Sequence, residues 1–191
     1  MEIAINLDHT IFNYFYQLNG QSSLFDKILI FLAMYLIYAV PVILVVLWFW
    51  PKDSKKVALK AVTAGLVAWF GFCNLIGAIW FRARPFVAQA NIRELAFHRP
   101  DRSFPSDHSA FLFAIAFAFW LLGYKKLGVA MFILAVIISV TRIIVGVHYP
   151  ADIVSGFIIG LLAAVLIWYL RKPLDKIFDP LIGWLKKMRL A

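Results

Sequence analysis

Long apolar stretches alternate with short polar connections along almost the whole chain. Because the hydrocarbon core of a bilayer is about 30 Å thick, a helix needs about 20 mostly apolar residues to cross it. Five stretches reach or approach that length, namely residues 28–50, 57–81, 109–124, 127–147 and 153–170. The pattern predicts an all-α fold, a polytopic transmembrane helical bundle of five to six spans, with a kink at Pro41 in the first span.

Both ends of the chain are amphipathic. Residues 10–19 are aromatic but interrupted by polar groups, so residues 1–23 are predicted to form an interfacial helix. Residues 173–191 combine apolar residues with lysines, which is typical of a basic amphipathic tail on the cytoplasmic surface. The first residues lack the positive charges of a secretory signal, so the first hydrophobic segment is expected to remain in the mature protein. Residues 1–191 are interpreted as a single membrane-embedded domain.

The composition supports a membrane protein and excludes other classes. Of the 191 residues, 63% are hydrophobic and only 15% are charged, which excludes an ordinary soluble domain. The net charge of +9 indicates basic cytoplasmic loops that contact anionic lipid. Nucleic acid is not expected as a partner, because no polar domain carries a basic stripe with interleaved aromatic residues. The single cysteine, Cys73, is predicted to be a buried hydrophobe.

The lysines predict the topology. They lie in the connections at residues 51–56, 125–126 and 171–172, which places those connections in the cytoplasm. The connections at 82–105 and 148–152 then lie on the other face. The first of these carries five arginines, which the positive-inside rule does not explain, so another role is expected for them.

Three polar groups gather on this outer face, and the first contains Arg82 and Arg84. Pro85 is expected to end the preceding helix, so that Arg84 projects from its terminus toward the headgroups. A guanidinium is a planar fork that matches pairs of phosphate oxygens. The alternative is that both arginines only reach lipid phosphates at the surface.

The second group is the run from Phe104 to Ser109. Pro105 and Ser106 are typical of a helix start, with Ser106 as the N-cap and His108 in the first turn. The free amides of a helix N-terminus attract anions, so Ser106 could bind a phosphate oxygen. The alternative for Ser106 and Asp107 is capping alone.

The third group lies at the end of the fourth span. Arg142 lies inside an otherwise apolar span, where an unpaired guanidinium costs several kcal/mol, so it needs an anionic partner. His148 followed by Asp152 suggests a carboxylate that fixes the imidazole tautomer. Together the groups suit a phosphate held by arginines, attacked by one histidine and released with a proton from the other. A metal site is disfavoured because the arginines would repel a cation.

These groups resemble the three motifs of the type-2 phosphatidic acid phosphatase superfamily. Arg84-Pro85 ends the first motif, residues 105–108 form the second, and residues 141–152 form the third with its full spacing. The chain departs from the pattern at Gly77 in place of a lysine, at Asp107 in place of glycine and at Thr141 in place of serine. The surrounding residues look most like the bacitracin-resistance branch, the undecaprenyl-diphosphate phosphatases.

The resemblance implies a role for each matching residue. His148 would be the nucleophile that forms a phosphohistidine, Asp152 would orient it, and His108 would protonate the leaving oxygen. The residues implied to hold the phosphate are Arg84, Ser106 and Arg142, with Arg82 as the candidate to replace the missing lysine. Neither a metal nor another cofactor is expected.

The implied function is hydrolysis of undecaprenyl diphosphate at the outer face of a bacterial cytoplasmic membrane. It would recycle the carrier lipid of the cell wall and confer bacitracin resistance. The alternatives are a phosphatidylglycerophosphate or phosphatidic acid phosphatase and a non-enzymatic protein that binds lipid headgroups. A vanadium-dependent haloperoxidase shares the motifs but is disfavoured because those enzymes are soluble.

Overall fold

The computed structural model describes residues 2–49 and 54–188, and the regular secondary structure of this part of the chain consists of helices. Its helices are α1 (Glu2–Tyr16), α2 (Ser23–Phe49), α3 (Ser54–Ile79), α4 (Pro85–Ala88), α5 (Asp107–Leu121), α6 (Lys125–Ile144), α7 (Pro150–Tyr169) and α8 (Arg171–Lys187). Helices α2, α3, α6 and α7 are long and apolar enough to cross a membrane, and α5 is a shorter apolar helix. The predicted all-α polytopic bundle is confirmed.

The first span is irregular rather than simply kinked. A π-helical turn at Phe31–Tyr35 and a 3₁₀ turn at Leu36–Tyr38 interrupt α2 just before Pro41. Proline has no N–H for the regular bond to the carbonyl four residues earlier, so the preceding turns adopt other hydrogen-bond patterns. A second π turn, Val67–Cys73, lies within α3.

Helix α5 is the centre of the bundle, enclosed by α3, α6 and α7. Its side chains are buried on most sides, including Leu112, Ile115 and Phe119. A helix that is apolar all round and surrounded by other helices belongs to the interior. The outer helices instead expose apolar residues such as Val42 and Ile158, as a lipid-facing surface requires, and the chain is a multi-pass membrane protein.

Two glycines set the close contact between α5 and α7. A Cβ atom at Gly156 would lie 2.7 Å from the Cβ of Ser109, and one at Gly160 would lie 2.8 Å from a backbone nitrogen of α5. Small residues at this four-residue spacing let two membrane helices approach closely. The N-termini of α5 and α7 therefore lie side by side, and the Ser106 N–H donates to the Asp152 carbonyl at 3.1 Å.

The terminal helices dock on opposite ends of the bundle. Helix α1 lies within the predicted residues 1–23, and its Phe12 is fully buried beside Ile143 and Tyr149. The tail is the helix α8, tied to α3 by the ion pairs Lys56–Asp179 at 2.5 Å and Lys60–Asp175 at 2.6 Å. The placement of both helices at the membrane surface stays a prediction.

Candidate active site

The three polar groups meet at one end of the bundle, around His148. This histidine lies between α6 and α7 and is only 2% exposed. The chain leaves α6 through Gly146, whose φ of +83° is the left-handed conformation that glycine adopts without strain. Pro150 then begins α7, where its missing N–H costs no helical bond. The short connection thus holds the imidazole inside the protein.

The hydrogen bonds of His148 indicate its tautomer. Its Nε2 atom lies 3.2 Å from Nη1 of Arg84, and because a guanidinium only donates, Nε2 accepts. The proton is then on Nδ1, which faces Oδ2 of Asp152 at 3.4 Å, longer than a well-formed hydrogen bond. Burial, followed by the charges of Arg142 and Arg84, holds the pKa of His148 well below its ordinary value. The free protein therefore carries a neutral imidazole with its lone pair at Nε2.

Asp152 is fully buried, and each of its two carboxylate oxygens accepts a hydrogen bond. Its Oδ2 accepts the Tyr149 N–H at 2.8 Å, which caps the N-terminus of α7, and its Oδ1 accepts from Nη1 of Arg82 at 3.0 Å. Both contacts fix the carboxylate beside Nδ1 of His148. The structure thus brings together the predicted pair, His148 and Asp152.

The predicted orientation of Arg84 is wrong. Helix α3 ends at Ile79, and Pro85 begins the short α4 rather than ending a span. Arg84 is 5% exposed and its side chain points inward, donating to the Val147 carbonyl at 2.9 Å as well as contacting His148. The prediction failed because proline is common both in the first turn of a helix and just after the end of one, and here Pro85 starts a helix.

Arg84 is also paired with a carboxylate of the outer connection. Its Nε and Nη2 atoms both lie 2.8 Å from Oδ1 of Asp101. The Asp101 side chain is 57% exposed, whereas that of Arg84 is buried. One edge of the Arg84 fork therefore holds an internal anion at the mouth of the site.

Arg142 is buried without the expected anionic partner. It is 1% exposed, and Nη1 donates to the carbonyl of Ala33 in the π turn of α2 at 3.3 Å. Its Nη2 lies 2.9 Å from Nε2 of His98, and its Nε has no hydrogen-bond partner. Among the described residues no carboxylate forms an ion pair with Arg142. An uncompensated guanidinium at this depth marks a place for an anion from outside the chain.

His98 is a site residue that the sequence reasoning missed. Burial and the charges of Arg84 and Arg142 lower its pKa to about 4, so it is neutral and accepts the bond from Arg142. Its ring centroid lies 6.5 Å from that of His148. Apart from its place in the arginine-rich connection, nothing in the sequence marks this histidine.

Ser106 and His108 lie where the second polar group predicts them. Ser106 is the N-cap of α5, which confirms that expectation, and its Oγ accepts from the Oγ of Ser109 at 3.0 Å. His108 lies in the first turn of α5, within electrostatic range of Arg142 and His148. The helix N-terminus, both histidines and the buried guanidinium thus form one cluster.

The position of the missing lysine is covered by another arginine. The side chain of Arg102 lies against Gly77, so that a Cβ atom there would overlap it. Its Nη2 donates a hydrogen bond to Oδ1 of Asn74 at 2.6 Å and lies 3.5 Å from Oδ1 of Asp107. Arg82, the predicted replacement, instead has both terminal nitrogens on carboxylates. Its contact with phosphate stays a prediction.

Chemically, the cluster suits a small tetrahedral anion. It combines a neutral imidazole, a carboxylate behind that imidazole, two buried guanidiniums and a helix N-terminus. Among residues 2–49 and 54–188, no three histidine, cysteine or acidic side chains are grouped so that they could hold a metal ion.

Comparison with known proteins finds relatives that match most of the chain. The profile of the PAP2 superfamily matches residues 56–176. The bacitracin transport permease protein BcrC of Bacillus licheniformis is 32% identical over 93% of this chain and 86% of its own length. The undecaprenyl-diphosphatase BcrC of Bacillus subtilis is 32% identical over 95% of this chain and 96% of its own. The crystal structure of Aquifex aeolicus LpxE is similar in fold, with a TM-score of 0.69 and 23% identity, over 84% of this chain and 94% of that one.

Proposed function

The chain belongs to the PAP2 superfamily, and from this premise we propose that it is a membrane phosphatase that hydrolyses undecaprenyl diphosphate to undecaprenyl phosphate and phosphate. One observation carries the proposed chemistry. The Nε2 lone pair of the neutral, buried His148 faces the guanidinium of Arg84, and the neighbouring Arg142 forms no ion pair with any carboxylate of the described residues. A nucleophile and two anion-binding groups then surround the same space.

In the first step, Nε2 of His148 attacks the terminal phosphorus of the diphosphate. The bond from that phosphorus to the bridging oxygen breaks, and the lipid monophosphate leaves with a proton from His108. Arg84, Arg142 and the hydroxyl of Ser106 bind the non-bridging oxygens, where charge accumulates in the transition state. The product is a phosphohistidine on Nε2.

Asp152 supports this step from behind the ring. The imidazole becomes cationic as the N–P bond forms, and the carboxylate beside Nδ1 stabilises that charge and keeps the proton on Nδ1. In the second step, His108 accepts a proton from water, which attacks the phosphohistidine and releases inorganic phosphate. Acid and base are the same residue in the two steps, as microscopic reversibility requires.

The relatives and the topology support the proposed substrate and setting. The relative from Bacillus subtilis, similar to this chain over almost its whole length, is named for undecaprenyl diphosphate, and the one from Bacillus licheniformis for bacitracin transport. Lys56, Lys125 and Arg171 lie at the helix ends away from the site, and under the positive-inside rule this supports a site on the outer face of a bacterial cytoplasmic membrane. There the reaction would recycle the carrier lipid of the cell wall and lower sensitivity to bacitracin.

The test is release of inorganic phosphate by the detergent-purified protein in excess EDTA. We expect undecaprenyl diphosphate to be hydrolysed faster than phosphatidic acid or phosphatidylglycerophosphate, and vanadate to inhibit. Faster hydrolysis of either phospholipid would reassign the substrate, and no release from any of the three would make the cluster a headgroup-binding site.

A substitution tests the nucleophile separately. His148→Ala should abolish phosphate release while the protein keeps its thermal unfolding temperature within a few degrees, because the imidazole is needed for the covalent step. The matched control is His9→Ala, on α1, whose imidazole stacks on Tyr149 at a centroid distance of 5.1 Å but has no contact with Arg84 or Asp152. Turnover at the wild-type rate in His148→Ala would reject the phosphohistidine mechanism.

A further inference from the structure

The N-terminal helix α1 delivers a carboxylate to the edge of the site. Asp8 is 8% exposed, although it lies in a segment whose sequence predicts an interfacial helix. Its Oδ2 forms an ion pair with Nη2 of Arg82 at 2.5 Å, and its Oδ1 accepts the Ala151 N–H at 2.8 Å. Asp8 thus contacts both the arginine beside the site and the first turn of α7.

Arg82 is placed between two carboxylates. Nη2 binds Asp8 and Nη1 binds Asp152 at 3.0 Å, while the guanidinium carbon lies 3.8 Å above the ring of Tyr149. The N–H of the same Tyr149 donates to the other oxygen of Asp152. The contacts therefore run in sequence from Asp8 through Arg82 and Asp152 to Nδ1 of His148.

We propose that Asp8 is a positioning residue that acts on Asp152 through Arg82, an inference that rests on the function proposed above. One guanidinium shared by two carboxylates neutralises each of them only in part. Asp152 then keeps enough negative charge to stabilise the cationic ring of His148 during phosphoryl transfer. Without the charge of Asp8, Arg82 neutralises Asp152 more completely. The carboxylate of Asp152 then stabilises the cationic ring of His148 less.

The substitution that isolates this charge is Asp8→Asn. Asparagine can still accept the Ala151 N–H, so the contact with α7 is kept while the ionic contact with Arg82 is lost. Because Asp8 does not touch the phosphate, we expect kcat to fall about tenfold with KM changed less than twofold. The matched control is Asp26→Asn in α2, whose Oδ1 accepts the Gly20 N–H away from the site, and we expect it to match the wild type.

A double-mutant cycle with Arg82→Gln separates the charge effect from a general role in docking α1. If Asp8 acts through Arg82, Asp8→Asn should leave kcat unchanged in the Arg82→Gln background, because the cation that links Asp8 to Asp152 is absent there. If Asp8 only docks α1, Asp8→Asn should lower kcat by the same factor in both backgrounds. Equal costs would overturn the inference, as would an unchanged kcat in Asp8→Asn.

The remaining outcomes are also decisive. If Arg82→Gln raises KM and leaves kcat unchanged, Arg82 binds phosphate as the sequence predicts, and the positioning role is wrong. If His148→Ala loses turnover while Asp8→Asn does not, the inference fails and the proposed function stands. If His148→Ala keeps turnover, the phosphohistidine mechanism fails and this inference fails with it, whereas the absence of phosphate release from every substrate by the wild type would reject the proposed function itself.

Discussion

The ion pair between Arg84 and Asp101 predicts a competition for the phosphate site. Two nitrogens of Arg84 contact one oxygen of Asp101, so a phosphate that binds this edge of the fork must displace the carboxylate. The substitution Asp101→Asn removes the competing charge while keeping the size of the side chain. We therefore expect phosphate and vanadate to bind the variant more tightly than the wild type.

The size of the effect follows from the exposure of the pair. Since the Asp101 side chain is 57% exposed, solvent screens the interaction, and a partly exposed pair contributes about 1 kcal/mol. Loss of that competition corresponds to about a fivefold lower inhibition constant. The KM for the diphosphate should fall by a similar factor, and kcat should change little unless release of phosphate limits turnover.

The assay is inhibition of turnover by inorganic phosphate and by vanadate. Asp179→Asn is the control, because it removes one carboxylate at the opposite end of the bundle, where Asp179 pairs with Lys56. Unchanged inhibition constants in Asp101→Asn would show that the carboxylate does not compete with phosphate. Weaker inhibition would show instead that Asp101 orients Arg84 for binding, which contradicts the competition.

Three other predictions test different parts of the structure. Arg142→Met should raise the KM and the inhibition constant of vanadate at least tenfold while the thermal unfolding temperature holds or rises, since no carboxylate in residues 2–49 and 54–188 pairs with the buried cation; a lower temperature with unchanged kinetics would contradict this. Protonation of His98, whose pKa is lowered to about 4, favours the unfolded state below pH 6.5, so the protein should be less stable at pH 5 than at pH 8, and His98→Gln should remove part of that decrease in thermal unfolding measurements. Gly160→Leu should destabilise the protein by several kcal/mol, because the backbone of α5 lies within 2.9 Å of the added Cβ, whereas Gly183→Leu on α8, where nothing lies within 4 Å, should be neutral in the same thermal assay.

The sequence is sufficient to predict the spans and the three polar groups. Apolar length identifies α2, α3, α6 and α7, and the spacing from Arg142 through His148 to Asp152 carries the central part of the site. These features are local, so they can be read from a few neighbouring residues.

The contacts that join distant segments could not be predicted. Asp8 reaches Arg82 and Ala151, which lie 74 and 143 residues away, and a short polar residue in an amphipathic helix gives no sign of such partners. The direction of Arg84 depends on where α3 ends, and Pro85 fits both possibilities. The identity of a residue determines which chemistry it can take part in, whereas tertiary packing determines where its side chain points.

The close packing of α5 on α7 limits how such a protein can diversify. The bond from the Ser106 N–H to the Asp152 carbonyl joins the N-terminus of α5 to the segment that carries His148, and the glycines of α7 leave no room between the helices. A substitution that shifts one helix therefore displaces both halves of the chemistry at once. Adaptation to a different lipid must then arise in the lipid-exposed helix faces and in the outer connection, and exchange of those parts between relatives is the route by which a new substrate preference could be engineered.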